Sequence, residues 1–393
     1  MLPKKLQVKL DKRIEKNAFR RLCEPSELID FSSNDYLGFA KEENIFAQAT
    51  AILESADLKI NGATGSRLIS GNHKLYSQAE DMICDFHKSP AALIYNSGYD
   101  ANLGFFSCVP QRGDVILYDE YIHASIRDGI QLGLAKSYKF KHNNLEDLEK
   151  KIKLTRNDDL NDVEIYVVTE SVFSMDGDSP DLHKMSDLCK NYQARLIVDE
   201  AHSLGVFGTN GVGLIQQLHL ENAVFVRLVT FGKAMGCHGA AILGGNDLKT
   251  YLVNYSRSFT YTTALSPHAV ATIITSYKQL IEAEEESLAL RKLTENIEFF
   301  TQKADFLGIK SRFIEGDSAI QSAIIPGNTV VRNMEKKLNE AGFEVKAILA
   351  PTVPEGQERL RLCLHSYNTK EEINSVLTIL AQLINNIPAQ EMV

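Results

Sequence analysis

The sequence predicts an α/β protein with a mainly parallel sheet in a large domain, followed by a small α+β domain. From about residue 75, short apolar runs alternate with helix-like stretches, and polar or glycine-rich residues follow each run. Alternation of this kind is typical of crossover units that place helices on both faces of a parallel sheet. The pattern changes after a long helical stretch near the end of the chain, which predicts the second domain.

Composition excludes several function classes. The 393 residues include 42 Lys+Arg and 51 Asp+Glu, a formal net charge of −9, which opposes binding to a phosphate backbone, so we expect no nucleic-acid partner. No apolar run approaches the roughly 20 residues of a bilayer span, and the N-terminal stretch lacks a signal-peptide core. We therefore expect a cytoplasmic protein without a membrane partner. The 6 cysteines form no CxxC pair and no cluster with histidine, so no metal site is predicted.

The chain is predicted to begin with an amphipathic helix, because apolar residues recur every four positions with basic residues between them. The apolar positions are Leu2, Leu6, Leu10, Ile14 and Ala18. We expect this helix to pack on the body of the protein, and a membrane-surface helix is the alternative. Residues 1–40 are assigned to an N-terminal helix and arm.

Five apolar runs are predicted strands of the large domain, which we assign to residues 41–275. They span residues 91–95, 115–118, 163–169, 195–199 and 224–230. Ligands of open α/β sheets bind beyond the carboxyl ends of the strands. Residues that follow these runs are therefore the first candidates for chemistry.

A helix opened by Pro267 is predicted to reach about Gln302 and to connect to the small domain, assigned to residues 276–393. Its glutamate run at positions 282–286 would form a solvated face. The elements predicted after it are a strand at 320–325, a helix at 330–340, and strands near Val345 and Leu360. Thr369 and Glu372 make a capping box for a last helix.

A lysine after the last run of the large domain is the strongest local sign of chemistry. The segment reads Val229-Thr230-Phe231-Gly232-Lys233-Ala234-Met235-Gly236. It is no P-loop, because the GxxxxG spacing is absent and neither Ser nor Thr follows the lysine. A lysine desolvated beside a sheet can be a neutral amine that forms a Schiff base with an aldehyde. Taken alone, the segment also fits a surface loop.

An acid and a histidine follow the preceding strand, at Asp199 and His202. Taken alone, Asp199 fits a helix cap or a metal ligand, and His202 fits a core histidine. Lys233 comes one strand later, so both Asp199 and the lysine can reach the same crevice. An aspartate that keeps a pyridine nitrogen protonated, with a lysine that holds the aldehyde of the same ring, is what pyridoxal 5′-phosphate (PLP) needs to act as an electron sink.

Eight motifs, in order along the chain, resemble the α-oxoamine synthases, PLP enzymes of the aspartate-aminotransferase fold (fold type I). They are Asn34-Asp35-Tyr36-Leu37-Gly38, Ser97-Gly98-Tyr99, His123-Ala124-Ser125, Val172 to Asp178, Asp199 to His202, Thr230 to Lys233, Ser318-Ala319-Ile320-Gln321 and Pro351-Thr352-Val353-Pro354. Chance matches do not respect order and strand context together. The resemblance implies an acyltransferase that uses PLP to join an amino acid to an acyl thioester.

The resemblance also implies roles around the ring of the cofactor. Lys233 would carry PLP and then act as the base that removes the Cα proton. Asp199 would pair with the pyridine nitrogen, and His202 would form a hydrogen bond with the phenolic oxygen. His123 would stack on the ring and contact the substrate, whereas its alternative is core packing. Ser174 would form a hydrogen bond on the same face of the cofactor, and its alternative role is a helix cap.

For the phosphate, the resemblance implies Thr230 together with the turn at Gly98 and Tyr99, which opens a helix. A cap is the alternative for Thr230. Thr262 or Thr263 would reach the phosphate bound by the other subunit. The protein is therefore expected to be a homodimer with shared active sites.

For the substrate, Arg359 and Arg361 leave the same face of one predicted strand, as in a salt-bridged edge strand. The resemblance implies that an arginine here binds the amino-acid carboxylate bidentately, and we assign Arg361. Arg20 aligns with a family arginine near the acyl substrate, with Arg21 beside it as the other candidate. Two further candidates for substrate binding, in the matching motifs, are Asn34 and Thr352.

Within the family, the motifs at 318–321 and 351–354 favour the branch that condenses L-alanine with pimeloyl-CoA or a pimeloyl-acyl carrier protein in biotin synthesis. A glycine-using 2-amino-3-ketobutyrate ligase and a serine palmitoyltransferase are the alternatives. A dinucleotide-dependent oxidoreductase lacks its GxGxxG motif here, and a non-catalytic PLP-binding regulator would not need His123. Two departures from the family pattern stand out: Thr64 and Arg67 in a glycine-rich loop, which could alter the acyl pocket, and Glu200 in place of a second aspartate.

Overall fold

The structure is a computed structural model that describes residues 2–20, 22, 27–156, 163–282 and 287–387. It divides into two compact units. The large unit comprises residues 35–173 and 179–291, and the small unit comprises residues 1–34, 174–178 and 292–393. Among the described residues, every helix is too short or too polar to cross a membrane.

The described residues form twelve strands, numbered in chain order. They are β1 (Ile29–Asp30), β2 (Ala91–Tyr95), β3 (Val115–Asp119), β4 (Lys136–Phe140), β5 (Ile165–Glu170), β6 (Arg195–Asp199), β7 (Val226–Thr230), β8 (Ala240–Gly244), β9 (Ile320–Ile324), β10 (Phe343–Glu344), β11 (Lys346–Ile348) and β12 (Arg359–Cys363).

The α-helices of the described residues are numbered in the same way. They are α1 (Lys4–Glu15), α2 (Glu43–Ser55), α3 (Lys74–His87), α4 (Gly98–Cys108), α5 (Ala124–Leu132), α6 (Leu145–Arg156), α7 (Leu182–Asn191), α8 (Leu214–Gln217), α9 (Asn246–Tyr255), α10 (Arg257–Thr260), α11 (Pro267–Ile281), α12 (Leu288–Phe306), α13 (Asn328–Glu340) and α14 (Lys370–Asn385).

The large unit is built on a seven-stranded sheet with the order β2-β8-β7-β6-β5-β3-β4. Strands β3 to β7 run parallel to one another, whereas β8 runs antiparallel to both β2 and β7. The predicted α/β fold with a mainly parallel sheet is confirmed. The carboxyl ends of the parallel strands lie at one edge of this sheet, which is where the sequence predicts the functional residues.

Alternate residues of these strands pack on opposite faces of the sheet. On β3, Ile116 belongs to one buried apolar cluster and Leu117 to another, and on β6 the same holds for Ile197 and Val198. A strand that is buried on both faces has a continuous apolar sequence, which is why these strands could be predicted. Each fully buried side chain of this kind contributes about 1.5–3 kcal/mol to folding.

All five strands predicted for the large unit are present, with ends within two residues of the predicted ones. Two strands, β4 and β8, were not predicted. The edge strand β4 carries three exposed residues and therefore lacks an apolar run. The β8 strand is buried, but its alanine and glycine residues give a weak strand signal.

The predicted long helix from Pro267 to about Gln302 is wrong. The structure has α11, which ends at Ile281 with Glu282 as its C-cap, and a separate α12, which begins at Leu288. A run of glutamates at a helix C-terminus would meet the negative end of the helix dipole and repel itself, so this sequence favours an end to the helix there. The glutamates at 284–286 lie outside the described residues.

The small unit contains a three-stranded antiparallel sheet in the order β11-β12-β9, and a short parallel pair, β1 with β10. The predicted strand near 320–325, the strand around Leu360 and the helix now called α13 are confirmed. Val345 itself falls between β10 and β11. The predicted capping box is confirmed, since the Thr369 hydroxyl accepts from the Glu372 amide at 3.2 Å and the Glu372 carboxylate accepts from the Thr369 amide at 2.8 Å.

The N-terminal helix forms as predicted, over Lys4–Glu15, but the expectation that it packs on the body is wrong for a single chain. No residue of α1 is buried. Its large apolar side chains are 39–59% exposed, namely Leu6, Val8, Leu10 and Ile14. The residues after it are held, because Arg332 donates to the carbonyls of Asn17 and Phe19. The apolar stripe of α1 is therefore uncovered by the described chain.

Candidate functional site

Three side chains beyond the carboxyl ends of β6 and β7 in the large unit are linked by two short polar contacts. The Lys233 amine nitrogen Nζ is 2.6 Å from Nε2 of His202. The other ring nitrogen of His202, Nδ1, is 2.8 Å from the hydroxyl oxygen of Tyr36. The structure thus brings together the predicted lysine and histidine, which follow two adjacent strands, and adds Tyr36, a residue of a matching motif to which the sequence analysis gave no role.

The turn that carries Lys233 is tight. The amide of Gly236 donates to the carbonyl of Lys233 at 2.8 Å, and that of Cys237 donates to the carbonyl of Phe231 at 2.7 Å. Gly236 has φ +61°, and a Cβ atom there would collide with the backbone of Phe39 and Ala40. Glycine at this position therefore lets the turn pack closely on the backbone of Phe39 and Ala40, and this packing fixes the position of the Lys233 backbone.

Asp199 is the last residue of β6 and is buried. One carboxylate oxygen, Oδ1, accepts from the Ala201 amide at 2.9 Å, and the other, Oδ2, accepts from the Asn102 side-chain amide at 2.9 Å. Both oxygens are held by donors, so the carboxylate is fixed in orientation. A buried, oriented carboxylate is suited to stabilise a protonated pyridine nitrogen.

His123 is the N-cap of α5, and its Nδ1 lies 2.7 Å from the Ser125 hydroxyl. Burial lowers the pKa of His123, and the Lys233 charge lowers it further, against an opposing effect of Asp199. The neutral imidazole is favoured. An uncharged flat ring held at both its backbone and its side chain is suited to stack on an aromatic cofactor.

Glu170 is an additional site residue that the sequence analysis missed. It ends β5, pairs in register with Asp199, and accepts from the backbone amide of His123 at 2.5 Å. Burial, and then the charge of Asp199, raise the pKa of Glu170 well above its ordinary value. The signal that pointed to Asp199, an acid at the carboxyl end of a buried strand, applies equally to Glu170.

Thr230 and the start of α4, which are the residues predicted to bind the phosphate, are in contact in the structure. A Cβ atom on Gly98 would lie only 2.6 Å from Cγ2 of Thr230, so the helix N-terminus packs directly on the end of β7. The Thr230 hydroxyl is buried and has no hydrogen-bond partner among the described residues, so it is not a helix cap. A buried hydroxyl without a partner beside a helix N-terminus is suited to a phosphate.

Three other predicted phosphate residues lie around this helix start. The side-chain amide of Asn96 donates to the Thr262 hydroxyl at 3.4 Å and to the Thr263 carbonyl at 2.6 Å. Tyr99 is 45% exposed, and its hydroxyl donates to the Asp128 carboxylate at 2.5 Å. Together with Lys233, Asp199 and His123, the residues of the large unit fit PLP.

In the small unit, the predicted carboxylate ligand Arg361 is oriented by two acceptors. Its Nε donates to the Ser174 carbonyl at 2.8 Å, and its Nη2 donates to the side-chain oxygen of Asn34 at 2.9 Å. Two predicted substrate residues, Asn34 and Arg361, are thus in contact. Arg359, on the same strand, is 1% exposed and forms an ion pair with Asp176. The charge of Arg359 is therefore neutralised inside the unit, which favours Arg361 as the ligand.

The remaining substrate candidates are less informative. Arg20 and Thr352 are both exposed. Arg21 lies outside the described residues. The roles given to Arg20, Thr352 and the side chain of Ser174 stay predictions.

The two departures from the family pattern have structural partners. Glu200 is buried and pairs with Arg227 at 2.6 Å. Arg67 pairs with the buried Glu80, and its guanidinium lies 3.9 Å from the ring centroid of Tyr76. Both residues join buried networks of the large unit.

Comparison with known proteins identifies the family of the chain. The family model for aminotransferase class I and II matches residues 26–380. The chain is 38% identical over 399 residues, covering 98% of this chain and 97% of the relative, to 8-amino-7-oxononanoate synthase of Emericella nidulans.

Solved structures give the same result. Serine palmitoyltransferase from S. paucimobilis with a bound PLP–myriocin aldimine superposes with a TM-score of 0.86 at 26% identity, covering 97% of both chains. The 8-amino-7-oxononanoate synthase of Francisella tularensis superposes with a TM-score of 0.75 at 30% identity, covering 91% of this chain and 98% of that one. The chain belongs to the aminotransferase class I and II family and, within its fold-type I PLP enzymes, to the α-oxoamine synthases.

Proposed function

We propose that this protein condenses L-alanine with a pimeloyl thioester to give 8-amino-7-oxononanoate, CO2 and the free thiol carrier, as a PLP-dependent acyltransferase of biotin synthesis. The observation that carries the proposal is the Lys233 amine, 2.6 Å from His202 and one strand from the buried Asp199. The near full-length match to a relative that bears this enzyme name supports the choice of substrates.

PLP, when bound, supplies an electron sink that stabilises negative charge at Cα of the amino acid. Lys233 would bind the aldehyde of PLP, and its amine would take up the proton removed from Cα. Asp199 would keep the ring nitrogen protonated, and His202 would donate to the phenolic oxygen. His123 would stack on the ring. The Thr230 hydroxyl, whose hydrogen-bonding capacity is unused in the described chain, binds the phosphate.

Arg361 binds the carboxylate of alanine, with Asn34 holding the guanidinium in position. A bidentate guanidinium contact fixes rotation about the bonds to Cα. The Cα–H bond then spends more time in the orientation from which its proton can be removed. The same anchor keeps the nucleophilic carbon in place for attack on the thioester carbonyl.

The substrate assay compares alanine, glycine and serine, each with pimeloyl, acetyl and palmitoyl thioesters, and measures CO2 release. We expect the highest kcat/KM for alanine with pimeloyl thioester, tested on both coenzyme A and acyl carrier protein. The structural match to serine palmitoyltransferase makes serine with palmitoyl-CoA the second candidate. A higher kcat/KM for that pair, or for glycine with acetyl-CoA, would overturn the proposal while leaving PLP as the cofactor.

Reductive trapping tests the lysine separately. Borohydride treatment of the yellow holoenzyme should fix the cofactor to Lys233 alone, as read by peptide mass mapping. Lys249 is the internal control, because its amine is already 2.8 Å from the buried Glu80 carboxylate. Label on any lysine other than Lys233 would contradict the assignment.

The proposal includes a homodimer with shared active sites that works in the cytoplasm. The uncovered stripe of α1 supports an interface, as do exposed side chains elsewhere, such as Ile69 at 85% and Tyr261 at 74%. Five cysteines of the described chain are free thiols, as in a reducing compartment. Light scattering should give twice the chain mass for the wild type, and a single-chain mass would contradict the dimer.

A further inference from the structure

Tyr36 is a buried residue to which the functions above assign no role. Its side chain is fully buried, and its hydroxyl oxygen lies 2.8 Å from Nδ1 of His202. The opposite nitrogen of that ring, Nε2, lies 2.6 Å from the Lys233 amine. His202 therefore bridges Tyr36 and Lys233, with one ring nitrogen facing each.

A neutral imidazole carries one proton, and the partners of its two nitrogens decide which nitrogen holds it. A lysine that attacks an aldehyde must be a neutral amine, which offers a lone pair. A neutral amine can donate to Nε2 or accept from it, whereas the phenolic oxygen of PLP, which accepts from His202 in the proposed function, requires the proton to be on Nε2. Nδ1 is left with a lone pair in a buried position, and the Tyr36 hydroxyl is placed to donate to it.

We propose that Tyr36 is a positioning residue, which donates its hydroxyl proton to Nδ1 of His202 and so keeps the imidazole proton on Nε2, the side of Lys233. The inference rests on the function proposed above, in which the same Nε2–H donates to the phenolic oxygen of PLP. Tyr36 itself acts only through His202.

The segment that carries Tyr36 is held against the lysine turn. Asp35 accepts from the Gly38 amide at 2.9 Å through its carbonyl and from the Ala40 amide at 3.2 Å through its carboxylate. Gly236, in the turn after Lys233, packs directly on the backbone of Ala40. The tyrosine and the lysine are thus fixed relative to the same stretch of backbone, which keeps the hydroxyl in reach of His202.

The test is Tyr36→Phe, which removes the hydroxyl and keeps the ring. The matched control is Tyr277→Phe, because Tyr277 is also fully buried and its hydroxyl lies 2.9 Å from a ring nitrogen of another buried histidine, His87. Nitrogen-15 NMR of histidine-labelled holoenzyme reports which nitrogen of His202 is protonated. The absorption spectrum of bound PLP at fixed pH gives a second measure.

We expect His202 to be protonated on Nε2 in the wild type and in Tyr277→Phe, and partly or wholly on Nδ1 in Tyr36→Phe. The ratio of the cofactor absorption bands should change only in Tyr36→Phe, and its kcat should fall by up to about a hundredfold with little change in the KM for alanine. Loss of the proton from Nε2 of His202 should slow the reaction, while Arg361 still binds the carboxylate of alanine.

Two results would overturn the inference. One is a wild-type His202 protonated on Nδ1, which needs no variant and so stands even if Tyr36→Phe fails to fold. The other is a Tyr36→Phe holoenzyme with the wild-type tautomer and spectrum, which would make Tyr36 a packing residue. Failure of the proposed function is distinguishable, because it would appear as a PLP-bound wild type that does not condense alanine with pimeloyl thioester, whatever the tautomer of His202.

Discussion

The side-chain amide of Asn102 donates to Oδ2 of Asp199 across 2.9 Å, from the middle of α4 to the end of β6. The same amide lies 3.0 Å from the Ser125 hydroxyl, which in turn lies 2.7 Å from Nδ1 of His123. A continuous path of hydrogen bonds, buried at Asp199, Asn102 and Ser125, therefore joins the predicted ring-nitrogen acid to the predicted stacking histidine.

Asn102→Ala should lower kcat/KM for the condensation by about tenfold to a hundredfold, since a hydrogen bond to a charged group contributes about 1.5–3 kcal/mol. Asp199→Asn should cost more, because the ring nitrogen then loses its charged partner. Steady-state kinetics with saturating PLP is the measurement. The control is Asn296→Ala, a buried asparagine that donates to the carbonyls of His365 and Asn368. Wild-type kinetics for Asn102→Ala would show that Asp199 needs no such support.

Arg361→Lys should raise the KM for alanine by about tenfold or more, because a single ammonium cannot make the bidentate contact. The companion variant is Arg359→Met, which leaves Asp176 buried without its ion-pair partner. That variant should lower the free energy of unfolding by about 3–5 kcal/mol. Alanine saturation curves and urea unfolding separate the two effects. If the folded Arg359 variant lost alanine affinity and Arg361→Lys did not, the assignment of the two arginines would be reversed.

Glu170→Gln should stabilise the apoprotein relative to the wild type, and more so at pH 8 than at pH 5. Burial beside Asp199 raises the pKa of Glu170, so the folded chain keeps a proton that the unfolded chain releases above about pH 4.3. The wild type therefore loses stability as pH rises, and glutamine, which cannot ionise, removes that loss. Urea unfolding at the two pH values measures it. Glu146→Gln, on an exposed position of α6, is the control. A stability difference that is equal at both pH values would contradict the raised pKa.

Mixing Lys233→Ala with the double variant Thr262→Val, Thr263→Val should regenerate activity if the sites are shared. Random exchange of subunits makes half of the dimers mixed, and one of the two sites in each mixed dimer is intact, so about a quarter of wild-type activity should return. CO2 release after verified subunit exchange is the measurement. An inactive mixture would argue for sites that are complete within one chain.

The fold and the main site residues were predictable where the signal is local. Asp199 and Lys233 each follow an apolar run that is buried on both faces, so the sequence marks both the strand and its end. Glu170 carries the same mark. The contact of Glu170 with the site depends on β5 being the neighbour of β6, and the apolar pattern of a single strand does not predict which strands are its neighbours.

Other site residues depend on packing between distant segments. Asn102 lies within a helix and reads as an ordinary polar position, and only the docking of α4 on the sheet aims its amide at Asp199. Tyr36 belongs to a motif that resembles the family, but its own contact with His202 becomes visible only in the folded chain. The amphipathic pattern of α1 predicted the helix correctly but could not say what covers it, because periodicity defines a face and not its partner.

The position of β2 at the edge of the large sheet has a consequence during synthesis. All five of its residues are buried, yet its one strand neighbour is β8, which begins at Ala240. At ribosomal speeds of roughly 5–20 residues per second, β2 leaves the ribosome on the order of ten seconds before that neighbour exists. During this interval the nascent chain exposes an unpaired apolar strand, the kind of segment that chaperones bind and that aggregates when they do not. Completion of the sheet therefore waits for β8, which follows Lys233 in the chain.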